Sequence, residues 1–379
     1  MKISGIEPFA IQAGGRNFIF CVVDTDEGIS GIGECGLASR AYALLGAFEH
    51  LREQVIGQDA NRIEHLWQTM YRGGFFPGGI VTAAAISAID IALWDIRGKA
   101  LGVPTYDLFG GRVRDRVVCY PHNRQGTLED LLESIRQTSD AGWKFARWHL
   151  QECGPGVLEP RQAVRDGIRW VEAVRKEFGP DLEICLDVHT RLDPSFSIQL
   201  ATALEPYDVF FLEDPVRSED PHTLARVRAA TRIPIAAGEQ YAGKWAFREL
   251  IEQDLIDYAR IDLCIVGGLT EARKVAGWCE THSIRLATHN PLGPVSSAAC
   301  LQLNLATSNF GVQEQPTRPG STLNDLFPVQ VEWEDGHLLP PTRPGLGVEF
   351  DRDALRKAEP ALRRGSPRLS RADGSFTNW

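Results

Sequence analysis

Two hydrophobic rhythms divide the chain. An apolar run at 18–23 stops at Asp24-Thr25-Asp26-Glu27-Gly28, a turn signal, and a second short run follows at 29–34. Runs of that length bounded by turn residues predict β-strands. Helical spacing then takes over around 41–55 and 62–71. The stretch 81–101 predicts a strong helix, with small residues at Ala83, Ala84, Ala85 and Ala88 and with Leu93 and Trp94 further along. Pro104 and Gly110-Gly111 end this region.

From Arg116 the rhythm changes. Short β-rich apolar runs alternate with helical stretches, at 117–120, 145–150, 182–187, 209–213, 234–239, 258–262, 284–289 and 310–314. Eight strands with intervening helices predict an α/β fold, a parallel sheet closed into a (β/α) barrel. Residues 315–379 are rich in Pro and Arg and too short for a domain of their own. They are expected to pack back on the N-terminal part.

Composition narrows the function classes. A length of 379 residues exceeds one ordinary domain, in keeping with a barrel plus a smaller unit. The net charge of −10 gives no general attraction for nucleic acid or anionic membrane. An anionic substrate would then need local positive charge, from a metal ion or Arg. The sequence holds no apolar stretch of about 18 residues and no signal peptide after Met1-Lys2-Ile3-Ser4, so a cytoplasmic location is expected. Cys21, Cys35, Cys119, Cys153, Cys185, Cys264, Cys279 and Cys300 form no C-x-x-C pair, and buried reduced thiols are expected.

Six acidic or basic residues end successive predicted strands: Asp187, Glu213, Glu239, Asp262, His289 and Glu314, at intervals of 23 to 27 residues. One barrel unit takes about 30 residues. Each unit therefore delivers one of these residues to the same rim, where barrel active sites lie. A single Glu after a strand, as in Leu212-Glu213-Asp214, is ordinarily a solvated loop residue or a helix cap. Six in register point to a site.

Asp187, Glu213 and Glu239 on adjacent strands would repel one another unless a cation sat between them. All three offer hard oxygens, so the matching ion is Mg2+ rather than Zn2+. A substrate carboxylate beside that ion has its charge offset, and its α-proton becomes acidic enough to remove. His189, two residues past Asp187, is expected on the same side of its strand. His289 ends a strand across the barrel. A base and an acid on opposite walls suit an elimination. Asp262 can hold the imidazole tautomer of His289. Glu314 could hydrogen-bond a substrate carboxylate if protonated, or else form a rim salt bridge.

These residues resemble the enolase superfamily in its mandelate racemase-like branch. The matching stretches are Leu186-Asp187-Val188-His189-Thr190-Arg191, Leu212-Glu213-Asp214-Pro215, Ala237-Gly238-Glu239-Gln240, Ile261-Asp262, Thr288-His289-Asn290-Pro291 and Val312-Gln313-Glu314-Gln315. The helix Ser87-Ala88-Ile89-Asp90-Ile91-Ala92-Leu93-Trp94-Asp95 and the tail Pro344-Gly345-Leu346-Gly347-Val348-Glu349 also match, so the likeness spans the chain. Asp187-Val188-His189 is its most specific part. It is similar to the galactonate dehydratase pattern, in which this His is the acid and the later His–Asp dyad supplies the base.

The resemblance implies a modified TIM-type barrel at 113–314 and an α+β capping domain at 1–112, completed by part of 315–379. Loops near 14–17 and 72–79 would close over the substrate. It implies catalytic roles for His189, His289 and Asp262, with Mg2+ on Asp187, Glu213 and Glu239. Glu314, Arg147, His122 and His149 would contact substrate.

Two departures bear on the substrate. Racemases of this branch carry Lys-x-Lys at the second barrel strand, where Arg147-Trp148-His149 stands, so a lysine base is absent. Galactonate dehydratases look like Lys-x-Asn there. Mannonate-type dehydratases are similar in having an Arg there, and a His after the first strand that His122 matches. The activity implied is dehydration of an aldonate to a 2-keto-3-deoxy acid, with D-galactonate the first substrate and gluconate or mannonate the alternatives. A hydroxy-acid epimerase or racemase on the same scaffold is a rival, and so is a non-catalytic ligand-binding barrel. The expected partners are a small sugar acid and further copies of the chain in a homo-oligomer, with neither nucleic acid nor membrane.

Overall fold

A computed structural model gives the architecture and describes residues 1–361 and 368–378. The chain opens with an antiparallel sheet of β1 (Ile3–Ala13), β2 (Arg16–Thr25) and β3 (Ser30–Cys35), in that order. The β1–β2 turn is Gly14-Gly15, both at positive φ, which suits a two-residue hairpin. β1 escaped the sequence reading. Its buried residues Ile3, Ile6, Phe9 and Ile11 do not alternate strictly, because the register slips between Ile3 and Gly5 and because Ile3 and Ile6 pack into one core while Phe9 and Ile11 pack into another.

Helices α1 (Ala41–Val55), α2 (Ile63–Arg72) and α3 (Ile80–Leu101) cover that sheet. The alanines of α3 let it lie very close to β3. A Cβ at Gly31 or Gly33 would overlap the carbonyls of Ala92 and Ala88, so only glycine fits there.

Eight parallel strands follow among the described residues: β4 (Val117–Tyr120), β5 (Phe145–His149), β6 (Glu183–Asp187), β7 (Phe211–Glu213), β8 (Ile235–Ala237), β9 (Tyr258–Ala259), β10 (Arg285–Thr288) and β11 (Phe310–Glu314). Between them lie α4 (Leu128–Asp140), α5 (Pro160–Phe178), α6 (Pro194–Leu204), α7 (Pro221–Arg228), α8 (Arg248–Glu252), α9 (Gly268–Thr281) and α10 (Pro294–Ala306). The sheet runs β4-β11-β10-β9-β8-β7-β6-β5. A bond from Asn123 N–H to the Arg147 carbonyl (2.9 Å) joins its two ends. This is the modified TIM-type barrel. Several strands end short of their predicted limits, so Glu239, Asp262 and His289 lie in the loops just beyond. Tyr120, Phe145, Cys185, Phe211, Ala236, Ala287 and Val312 fill the interior and form an apolar floor beneath the rim.

The segment after Glu314 divides its contacts. β12 (Trp333–Glu334) and β13 (His337–Leu338) form a hairpin that pairs antiparallel with β4. α11 (Arg352–Lys357) leads to Glu359, whose carbonyl accepts from Gln12 N–H at 2.7 Å. Ser370 pairs with 156–158 beside the barrel. Residues 362–367 and 379 of this segment lie outside the described residues. Seven of the cysteines are buried as expected, whereas Cys153 is exposed. No described helix is long and apolar enough to cross a membrane.

Candidate active site

The barrel gathers the constellation at one end. His149, Asp187, Glu213 and Glu314 are the last residues of β5, β6, β7 and β11. His289 directly follows β10, and His122 and Glu239 stand two residues past β4 and β8. Parallel register sets His149 opposite Asp187 and Asp187 opposite Glu213. Asp262 and His289 form a bridge of their own beyond β9 and β10. His189 reaches the site differently from the sequence expectation. β6 stops at Asp187, and the chain turns through positive φ at His189 (52°) and Thr190 (56°). Its placement comes from that turn, not from strand alternation.

On one wall, His289 Nδ1 lies 2.8 Å from Asp262 Oδ2, a geometry that fixes the ring tautomer with Nδ1 as donor. Nε2 then faces the centre, 3.2 Å from Glu239 Oε2 and 3.8 Å from Glu314 Oε2. Burial lowers the imidazole pKa, but the carboxylates of Glu239, Glu314 and Asp262 outweigh it and raise it to about 10.

Beneath, the fully buried Arg260 ties two strand ends together. Its Nε donates to Glu213 Oε1 at 2.7 Å and its Nη2 to Glu314 Oε2 at 2.5 Å. His122 Nε2 lies 2.5 Å from the other Glu314 oxygen, and Asn290 N–H donates to Oε2 at 3.0 Å. Burial would raise the Glu314 pKa, but Arg260, His289 and His122 hold it well below the usual range. Glu314 thus forms the rim salt bridge that the sequence allowed, with Arg260 as its partner. His122 is likewise turned toward Glu314, and burial pushes its pKa down to about 4.

At the centre, Glu213, Asp214 and Glu239 bring one oxygen each within 4.8 Å of one another. Glu213 Oε2 and Asp214 Oδ2 are buried without a hydrogen-bond partner, and Glu239 Oε2 faces only His289 Nε2 at 3.2 Å. Burial raises the Glu213 pKa to about 8, with Asp187 and Glu239 adding to it and Arg260 opposing it. Asp214 rises well above its ordinary value, through burial and then Glu239 and Glu213. Orphaned, mutually repelling buried oxygens are a fit for a hard divalent cation such as Mg2+.

Asp187 stands outside that cluster. Its carboxylate is paired with Arg147 and lies 2.7 Å from His189 Nε2, and Oδ1 accepts from the His189 N–H at 2.7 Å. Burial would raise its pKa, but His189 and Arg147 hold it far below the usual range. Arg147, expected on substrate, thus faces Asp187 and lies 3.2 Å from His189 Nε2. His149 Nδ1 lies 2.8 Å from Gln125 Nε2 and 3.1 Å from Arg191 Nη1. Its ring centre is 5.2 Å from that of His189.

Comparison with known proteins identifies the family. Residues 6–110 match the mandelate racemase/muconate lactonizing enzyme N-terminal domain, and residues 130–354 match the enolase C-terminal domain-like family. The chain belongs to the mandelate racemase/muconate lactonizing enzyme family of the enolase superfamily. It is similar to a D-galactonate dehydratase from Ralstonia nicotianae, 36% identical over all of both chains. It is 35% identical to a D-mannonate dehydratase from Caulobacter sp. (strain K31) over 96% of each. A crystal structure of an enolase from Pantoea ananatis with bound D-gluconate and Mg superposes with a TM-score of 0.93, at 29% identity over all of both chains.

Two residues that the structure places among these charges carry little signal in the sequence. Asp214 was passed over as the residue after a strand-end Glu, yet it completes the acidic cluster. Arg260 sits in the run Ala259-Arg260-Ile261-Asp262, where a charge among apolar strand residues was the available signal. Arg260→Met takes the shared cation from Glu213 and Glu314, leaving Glu213 buried without its ion-pair partner and Glu314 with only His122, His289 and Asn290. We expect a loss of about 3–5 kcal/mol in urea unfolding. Unchanged stability would show that the two carboxylates find other partners.

Proposed function

We propose that this chain is a Mg2+-dependent sugar-acid dehydratase that converts an aldonate to a 2-keto-3-deoxy acid. The observation that carries the reading is the His289–Asp262 dyad facing a buried cluster of crowded carboxylates, with His189 four strands from His289 on the opposite wall. D-galactonate is the first substrate, on the likeness to D-galactonate dehydratases across the whole chain. The likeness to a D-mannonate dehydratase and the Arg147 signature keep mannonate as the alternative, and the gluconate-bound neighbour keeps gluconate. The division into a capping domain at 1–112 and a barrel at 113–314, a homo-oligomeric assembly and a cytoplasmic location belong to the same proposal. Light scattering tests the assembly.

Glu213 and Glu239 would hold Mg2+ together with Asp187, which the register places directly opposite Glu213. Bound Mg2+ would offset the charge of the substrate carboxylate and acidify the adjacent C–H. The surrounding carboxylates favour the imidazolium; a cation held by Glu239 would offset them, and neutral His289 Nε2 then accepts that α-proton, with Asp262 steadying the imidazolium through Nδ1. The electron pair left on Cα forms the new C=C bond as the β-hydroxyl departs. His189 gives that hydroxyl its proton, so it leaves as water, and the enol product rearranges to the 2-keto acid. Asp187 keeps the His189 ring oriented at 2.7 Å.

A sugar-acid library assayed by semicarbazide trapping tests the proposal. A 2-keto product from an aldonate is expected. Substrate scrambled at C2 without a keto product would mean an epimerase, and no turnover with Mg2+ bound would mean a binding barrel. The ligand set has its own test. Asp187→Asn should lose Mg2+ by metal analysis; if Asp214→Asn loses it instead, Asp214 is the third ligand.

A further inference from the structure

The loop that carries the proposed base is gripped by the other domain. Glu34, on β3 of the N-terminal domain, is fully buried. Its Oε1 accepts the Gly293 N–H at 2.7 Å and its Oε2 accepts the Ser296 N–H at 2.9 Å. These N–H groups open α10, the helix that follows His289, whose N-cap residue Gly293 brings no capping side chain of its own. A Cβ at Gly293 would come 2.7 Å from Glu34 Oε1, so the approach is tight. A second tie lies between the two. Arg16, exposed beside the β1–β2 turn, donates to the Pro291 carbonyl at 2.6 Å.

The arrangement is repeated one strand away. Asp90 on α3, also buried, accepts from Thr270 N–H at 2.9 Å and Thr270 Oγ1 at 2.5 Å, at the start of α9. α9 follows the loop that carries Asp262. Both helices behind the dyad are thus capped by buried carboxylates of the N-terminal domain. Ordinary caps come from the residue just before the helix. Taking them from another domain makes the loop's position depend on that domain.

We propose that Glu34, assisted by Arg16, is a positioning residue for His289. The N-terminal domain thereby sets the direction of the base as well as covering the barrel. This rests on the dehydratase reading above for its kinetic consequence, but not for its structural one. His289 N–H is fixed to the Ile261 carbonyl at 3.1 Å on one side. Asn290 is fixed to Glu314 through its N–H at 3.0 Å and its amide at 2.9 Å. Glu34 closes the far end of the same short loop. Glu34→Gln keeps one acceptor but turns an NH2 group toward an N–H, so one anchor is lost at nearly constant volume.

The test uses the full-length Mg2+-loaded protein. Glu34→Gln is expected to lower kcat about 10- to 100-fold, as for groups that orient a catalytic or ligating residue, with KM and Mg2+ content unchanged. The kinetic isotope effect with α-deuterated substrate should rise, because proton removal becomes slower. The downfield Nδ1–H proton resonance of His289, assigned by its loss in His289→Asn, should shift. Arg16→Ala is expected to lower kcat by a smaller factor and to move the same resonance. A merely structural role lowers Tm but leaves the isotope effect and the resonance in place. A folded Glu34→Gln with native kcat and an unmoved resonance overturns the proposal. If Glu34→Gln does not fold, Arg16→Ala with both readouts native overturns it. A wild-type protein that dehydrates no sugar acid sinks the function instead, while the resonance still judges Glu34.

Discussion

Treatment with EDTA is expected to abolish dehydration, and added Mg2+ to restore it. The reason lies in the crowded carboxylates of Glu213, Asp214 and Glu239, with Asp187 opposite Glu213, among which Glu213 Oε2 and Asp214 Oδ2 are buried without hydrogen-bond partners. Buried carboxylates left in this state are costly, and a divalent cation is the economical counter-charge. Removal should depress kcat by more than about 10³-fold, since the ion's electrostatic effect is worth several kcal/mol. Glu213→Gln probes the same site from the protein side. Groups that only support a ligand change metal affinity about 10- to 100-fold, and a ligand should change it at least as much. The variant also loses the ion pair with Arg260, so metal content must be measured beside unfolding. A stable variant depleted of Mg2+ assigns the loss to coordination. Full activity in a metal-stripped sample would sink the function.

Much of this was legible in the chain because the signals were periodic. The interval of 23 to 27 residues between charged strand ends reflects the length of one barrel unit. It placed Asp187, Glu213, Glu239, Asp262, His289 and Glu314 at one rim without any knowledge of contacts. The 81–101 helix was visible because its alanines repeat on every face. What escaped depends on three dimensions. β1 hides its period behind a register slip. Arg260 and Asp214 acquire meaning only when strands far apart in sequence bring Glu213, Glu239 and Glu314 beside them. Arg147 is ambiguous in sequence because a cation at a rim can serve an anionic ligand, a neighbouring carboxylate or both. Only the fold shows that it faces Asp187. The caps from Glu34 and Asp90 join residues more than a hundred positions apart, and no local pattern announces them.

The two histidines should separate in a deuterium-exchange experiment. His289→Asn is expected to stop both dehydration and exchange of the substrate α-proton with D2O. His189→Asn is expected to block loss of water yet leave exchange running. Each should cost about 10²- to 10⁴-fold in kcat, the usual worth of a general acid or base. The difference follows from the order of bond breaking. Proton removal by His289 gives an enediolate. When His189 cannot protonate the β-hydroxyl, that species takes a proton back, and the label enters if His289 has exchanged with solvent in the meantime. The His289 side chain is only 11% exposed, so exchange is followed over long incubations by proton NMR. The geometry favours this assignment over its mirror image. His289 has Asp262 on Nδ1 and its Nε2 directed at the acidic cluster, which suits a base that must become an imidazolium. His189 has its Nε2 between Asp187 and Arg147, on the wall of the barrel opposite His289, where it can reach a departing hydroxyl. Exchange retained in His289→Asn and lost in His189→Asn would reverse the roles. The substrate's C2 hydrogen would then face β6 rather than β10, which would require the opposite configuration at that carbon.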